Sequence, residues 1–162
     1  VQPENPAQRW HSGEVTDDTP FNEQPAAVIN EFNDGVTQEF RANGGQVGGQ
    51  FAGVPILLLT NTGAKSGKER LNPLAYFDID GKIYIVGSFG GADKDPAWVH
   101  NLRAHPHAHI DIGTDGYDVV AHELSLSERD ALYPKVVEQV PVFADYQEKT
   151  DRAIPIFELR RH

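Results

Sequence analysis

The stretch "TNTGAKSGKER", residues 60 to 70, sets Lys65, Ser66, Lys68 and Arg70 around two glycines, directly after the apolar run "VPILLL". Cationic and hydroxyl donors converging on a glycine-rich turn offset the desolvation of an anion, and glycine lets backbone amides approach it closely. The chemistry this predicts is phosphate binding, set against the plainer reading of a hydrophilic turn between strands. A nucleotide P-loop is excluded by spacing. Gly63 and Gly67 have three residues between them rather than four, Lys68 is followed by Glu69 instead of a hydroxyl, and "RLNPLAYFDID" reads as a strand where that motif needs a helix.

A second stretch, "SFGGADKDPAW", residues 88 to 98, ends a strand at Ser88, gives a flat ligand close approach at Gly90 and Gly91, and raises Trp98 from a helix start. With Phe143 and Tyr146 as further aromatic walls, the two stretches together suit a long ligand with an aromatic head and a phosphorylated tail. Other chemistries find less support. "HPHAH" places His105, His107 and His109 at alternate positions, but no third ligand motif accompanies them, so no metal is expected. The pattern G-x-S-x-G is absent, and the lack of cysteine removes thiolate catalysis, disulfides and Cys-ligated metals.

The chain of 162 residues is one domain's worth. A formal net charge of -10 and a pI near 5.0 argue against nucleic acid or an anionic membrane as the main partner. Against that background, Lys65, Lys68 and Arg70 are three of only 14 Lys and Arg residues, so an anionic ligand is most easily received there. No apolar run approaches the ~18 residues of a membrane span and no signal-peptide pattern is present. A cytoplasmic protein, at most peripheral to a membrane, is expected.

These residues need elements to hold them. Residues 1–20 are polar and proline-rich, with Trp10 their one large apolar anchor, and read as a flexible arm before a single domain over 21–162. Val28, Phe32, Val36 and Phe40 recur at every fourth position and predict a helix from Asn22 to Phe40, packed on the core rather than acting as a lid. "NGGQVGGQFAG" reads as a linker or mobile loop. "PILLLT", "LNPLAYFDI", "KIYIVGS", "HAHIDIG", "YDVVAHEL" and "IPIFEL" read as six strands, with tight turns at Asp80-Gly81 and Asp115-Gly116. A helix capped by Asp95, with Pro96 at its first position, is expected to stop at Pro106. Another starts at the capping-box pair Ser127 and Asp130, and a short one covers "VFADYQEKTDR". Strands and helices do not alternate as βαβ units would, which predicts an α+β, mainly antiparallel sheet or small barrel with peripheral helices.

The segments "LLLTNTGAKSGKERLNPLAYF", "YIVGSFGGADKDPAWVHNLRAHPHAHIDIG" and "ADYQEKTDRAIPIFEL" closely resemble the deazaflavin-dependent nitroreductase family of actinobacteria, over residues 55 to 159. The resemblance implies a split β-barrel that binds coenzyme F-420, an 8-hydroxy-5-deazaflavin with a ribityl phosphodiester and an oligoglutamate tail. It implies phosphate contacts from Ala64, Lys65, Ser66 and Arg70, assisted by Asn101, with Lys68 meeting the glutamates. Pro73, Leu74, Ser88, Gly90 and Gly91 would line the ring and Trp98 would wall it. The implied activity is hydride transfer from the reduced cofactor to a quinone or nitroaromatic acceptor, and barrels of this kind often pair as homodimers.

The chain departs from its relatives before "ADYQ". Val140 and Phe143 stand where those nitroreductases carry tyrosine hydroxyls, and only Tyr146 matches, which predicts quinone reduction more readily than nitroimidazole activation. An FMN-dependent split-barrel oxidoreductase, or a deazaflavin carrier or sensor without turnover, are the alternatives the sequence leaves open.

Overall fold

The structure, a computed structural model, describes residues 26–48 and 54–162. The N-terminal arm, its Trp10 and the first residues of the expected 22–40 helix lie outside the described residues. The elements in order are helix α1 (Ala26–Ala42), strands β1 (Ile56–Thr62), β2 (Glu69–Ala75), β3 (Phe77–Ile79) and β4 (Lys82–Val86), then helix α2 (Ala97–Ala104). Strands β5 (His107–Ile112) and β6 (Asp115–Glu123), helices α3 (Leu126–Gln139) and α4 (Val142–Glu148), and strand β7 (Ile156–Arg161) complete the chain.

All seven strands form one antiparallel sheet in the order β2-β1-β5-β6-β7-β4-β3. The expected strand "LNPLAYFDI" is two strands, divided at Tyr76. β2 pairs with β1 at one edge, while β3, a single residue further on, pairs with β4 at the other. One residue can join opposite edges only if the sheet curls until they meet. β2 accordingly lies against β4, although four strands separate them in the sheet order. This is the split-barrel, α+β architecture.

The consecutive leucines of β1 report what covers each face. Leu57 and Leu59 point inward to Ile85, Val99, Leu102 and Ile110, whereas Leu58 packs with Val36 and Phe40 of α1 and with Val47. A strand covered on both sides has no use for polar alternation, and each fully buried leucine contributes about 1.5–3 kcal/mol. Val47, in the glycine-rich segment after α1, is 7% exposed. That part of the expected linker is therefore anchored in the core, with the Gly48 amide donating to Glu39 Oε1 at 2.9 Å.

The Asp80-Gly81 turn forms as expected, with φ of 55° and 79°, both in the left-handed region. The second hairpin turns two residues earlier than expected, at Gly113-Thr114, with Ile112 paired to Asp115. Gly116 instead lies within β6, where a Cβ would come within 2.6 Å of Asp111 Oδ1 and 2.9 Å of His109 Nε2. The glycine is there to let two side chains fold over the strand.

Both helix starts also shift. α2 begins after Pro96 as its N-cap, because the Asp95 carboxylate is held by Arg152 and Arg103. α3 is capped by Ser125 rather than Ser127: its Oγ accepts from the Glu128 amide, and Glu128 Oε1 accepts from the Ser125 amide.

Candidate functional site

The basic loop leaves β1 at Thr62 and returns as β2 at Glu69. The Gly63 amide donates to Lys68 O at 2.8 Å, the Gly67 amide to Gly63 O at 2.9 Å, and the Lys68 amide to Ser66 Oγ at 3.1 Å. From below, Asn101 on α2 accepts the Ala64 amide at 2.9 Å and donates to Asn61 Oδ1 at 2.7 Å, while Asn61 donates to Asn72 Oδ1 at 2.9 Å. Asn101 is 7% exposed, so its amide serves to hold the loop. The result is a braced turn whose exposed side carries the Lys65, Lys68 and Arg70 cations. Lys65, Lys68 and Arg70 are exposed and enter no ion pair among the described residues, and the Lys65 and Ser66 amides make no hydrogen bond there. Such a donor set fits a phosphate.

Beside the loop lies a cleft of about 350 Å³. β2 runs directly from one to the other: Arg70 belongs to the loop, and Asn72, Pro73 and Leu74 belong to the cleft wall. Of the residues expected from sequence, Pro73, Leu74, Ser88, Gly90, Trp98, Phe143 and Tyr146 come together here, although they derive from four separate segments. Ala64, Lys65, Ser66, Lys68 and Arg70 stay together in the neighbouring loop. Gly91 is not on the wall. It is buried beneath it with φ of 84°, and a Cβ would lie 2.8 Å from Tyr146 O, so this glycine lets the turn dock on α4.

Sequence reasoning missed the opposite wall, which is α1. Ile29, Asn30, Phe32, Asn33 and Val36 face the cleft, so the helix covers the site as well as packing on the core. The only available signal was its apolar stripe, which does not tell which surface the stripe covers. Asn72 and Phe89 were also missed. Phe89 has φ of 46° and is followed by Gly90 at 65° and Gly91 at 84°. A left-handed aromatic residue is strained by roughly 1–3 kcal/mol, and surroundings that hold it there are typical of ligand sites.

The cleft is largely apolar, and among the described residues no carboxylate, histidine, lysine or arginine lines it. Trp98 is 5% exposed and meets Phe157 edge-on at 5.9 Å; Phe143 stands edge-on to Phe77 and Tyr146. Among the described residues Tyr146 is the one ionisable group in the lining, and burial raises its phenol above the ordinary tyrosine range. Behind it, Tyr133 donates to Phe143 O at 2.6 Å, and burial pushes its pKa up to about 12. The histidines lie elsewhere. His109 bridges Asp118 at 2.9 Å and Asp111 at 3.4 Å, and His107 stacks edge-on to His162. Among the described residues no group of three or more His, Asp or Glu side chains is arranged to hold a metal. Such a cleft can bind, orient and dry a flat ligand, leaving the reactive atoms to a cofactor.

The fold and site define an oxidoreductase of the split-barrel class. The family model for the F420H(2)-dependent quinone reductases matches residues 34–160, and the chain belongs to that family. It is therefore an enzyme that uses coenzyme F-420 as its hydride carrier. The chain is 35% identical over 127 residues to the F420H(2)-dependent quinone reductase Rv1261c of Mycobacterium tuberculosis, covering 75% of this chain and 85% of that one. It is also similar to the solved structure of an F420-H2 dependent reductase, FDR-A, at 43% identity and a TM-score of 0.60, covering 65% and 94% of the two chains. A third similar structure, described as a domain-swapped dimer, shares 37% identity and a TM-score of 0.62, over 85% of this chain and all of that one. Among the described residues no helix is long and apolar enough to cross a membrane.

Proposed function

We propose that the chain reduces quinones with coenzyme F-420 bound across the loop and the cleft. The observation that carries this reading is the continuity of β2, which places Arg70, at the end of the basic loop, and the cleft wall on one strand. Lys65, Ser66 and Arg70 would hold the phosphodiester, with Ala64 kept in place through Asn101, and Lys68 is free to meet the glutamates. The ring would lie against Pro73, Leu74, Ser88 and Gly90 with Trp98 at its side. The acceptor would enter from the side of α1, against Phe143 and Tyr146.

The reduced cofactor supplies a hydride at its central ring carbon. What the protein adds is position and dryness: two flat partners held face to face in an apolar cleft lose little entropy on reaction. Tyr146 keeps its proton because burial disfavours the phenolate.

Titration of the pure protein with oxidised coenzyme F-420 and with FMN, followed by fluorescence, tests the reading, together with oxidation of the reduced cofactor by menadione. We expect tight deazaflavin binding, weakened in Lys65→Ala, and turnover with the quinone. Preference for FMN would move the protein to a flavin chemistry, and binding without turnover would make it a carrier.

Nitroaromatic acceptors should react more slowly, because Phe143 offers no hydroxyl. Phe143→Tyr should raise nitroimidazole turnover; an unchanged rate would remove that explanation. Pairing of two copies, as described for the domain-swapped relative, is proposed for this chain and is checked by light scattering.

A further inference from the structure

Arg152 lines neither the cleft nor the loop, yet it makes four hydrogen bonds to the segment that shapes the cleft. Its Nε donates to Ala92 O at 2.9 Å, and its Nη2 donates to Gly87 O at 3.2 Å and Ser88 O at 3.0 Å. Its Nη1 meets Asp95 Oδ1 at 2.8 Å, and Asp95 Oδ2 accepts from Arg103, which is itself forked onto Glu123. The three carbonyls flank the left-handed run Phe89-Gly90-Gly91, and Asp95 directly precedes the Pro96–Trp98 wall. The Arg152 side chain is 17% exposed.

A planar guanidinium has five donors in a fixed fork, so one group can fix several carbonyl directions at once. Ser88 O also accepts the Gly91 amide at 2.9 Å, so without the guanidinium it is the Gly87 and Ala92 carbonyls that would lose their partner and cost the desolvation of two acceptors.

We propose that Arg152 is a positioning residue for the reaction: it locks the 87–92 turn and the start of α2 into one rigid wall, and so sets the plane in which the cofactor ring lies. The placement of the ring rests on the functional reading above; the locking of the wall does not. Lysine cannot replace it. Its three donors on one nitrogen do not span three carbonyls and a carboxylate.

The test combines Arg152→Lys with Asp95→Asn, which removes the charge that orients the guanidinium and that Arg103 also meets. Without cofactor, amide exchange in peptides covering residues 88–95 should quicken by about tenfold in both variants, while β1 and β5 keep wild-type exchange. The Kd for the oxidised cofactor should weaken and kcat with menadione should fall, each by about tenfold, with less change in KM for the quinone. Wild-type exchange in the 88–95 peptides would overturn the proposal. So would a lower Tm with unchanged Kd and kcat, since that is what a purely structural arginine gives. If Arg152→Lys does not fold, Asp95→Asn decides by the same readings. Failure of the wild type to bind coenzyme F-420 would count against the functional reading alone, because the exchange measurement uses the ligand-free protein.

Discussion

Arg70 and Lys65 stand at the outer surface of a turn whose inner side is consumed by its own hydrogen bonds, so their charge is available to a ligand. A hydrogen bond to a charged group is worth about 1.5–3 kcal/mol, so Arg70→Ala should weaken binding of the oxidised cofactor by about tenfold or more. The loss should be larger at low ionic strength, which titrations at two salt concentrations will show. Tyr146 leads to the opposite kind of expectation. Its pKa is raised by burial, so the phenol is protonated throughout the working range. The ratio of kcat in Tyr146→Phe to wild type should then be constant between about pH 6 and 9. A ratio that varies with pH would show that the phenol titrates in that range.

The β5–β6 hairpin carries its own titration. His109, hydrogen-bonded to Asp118, has its pKa raised above the ordinary 6.5, with Asp111 adding to the effect. The folded protein thus holds the proton more tightly than the unfolded chain. The stabilisation is present in full below pH 6.5 and is lost as pH rises through the folded value. The ring is 39% exposed, so the effect is small. Tm should drift down between about pH 6 and 8, and the drift should shrink in His109→Gln.

The same hairpin shows where sequence reasoning reaches its limit. Asp80-Gly81 and Asp115-Gly116 are equivalent as dipeptides, and only one is a turn. The other glycine answers to side chains folding over it, which is cross-strand information. The split at Tyr76 was hidden for a related reason, since a change of strand partner leaves no mark on alternation. The candidate site was legible where its residues are contiguous, as in the loop and at Ser88 and Gly90, though not at Phe89 between them. It was illegible where α1, remote in sequence, supplies a wall, and where Arg152 supports the turn from 60 residues away.

At the scale of the molecule, the core and the site meet at Trp98 and Leu74, which belong to both. Leu59 is fully buried in the same interior cluster but does not itself line the cleft. Leu59→Ala should cost about 2–5 kcal/mol in chemical denaturation, while the folded fraction keeps wild-type cofactor affinity. The β2 strand has a different consequence. At about 3.3 Å per residue, Arg70 and Leu74 are roughly 13 Å apart. Pairing with β1 from Glu69 to Ala75 prevents that span from stretching. A ligand is therefore gauged by length before its head group is read: one whose anion and ring are joined by a shorter linker can satisfy either end of the strand but never both. The protein works as a calliper, and adding or removing two residues within β2 would reset the opening while leaving each jaw intact.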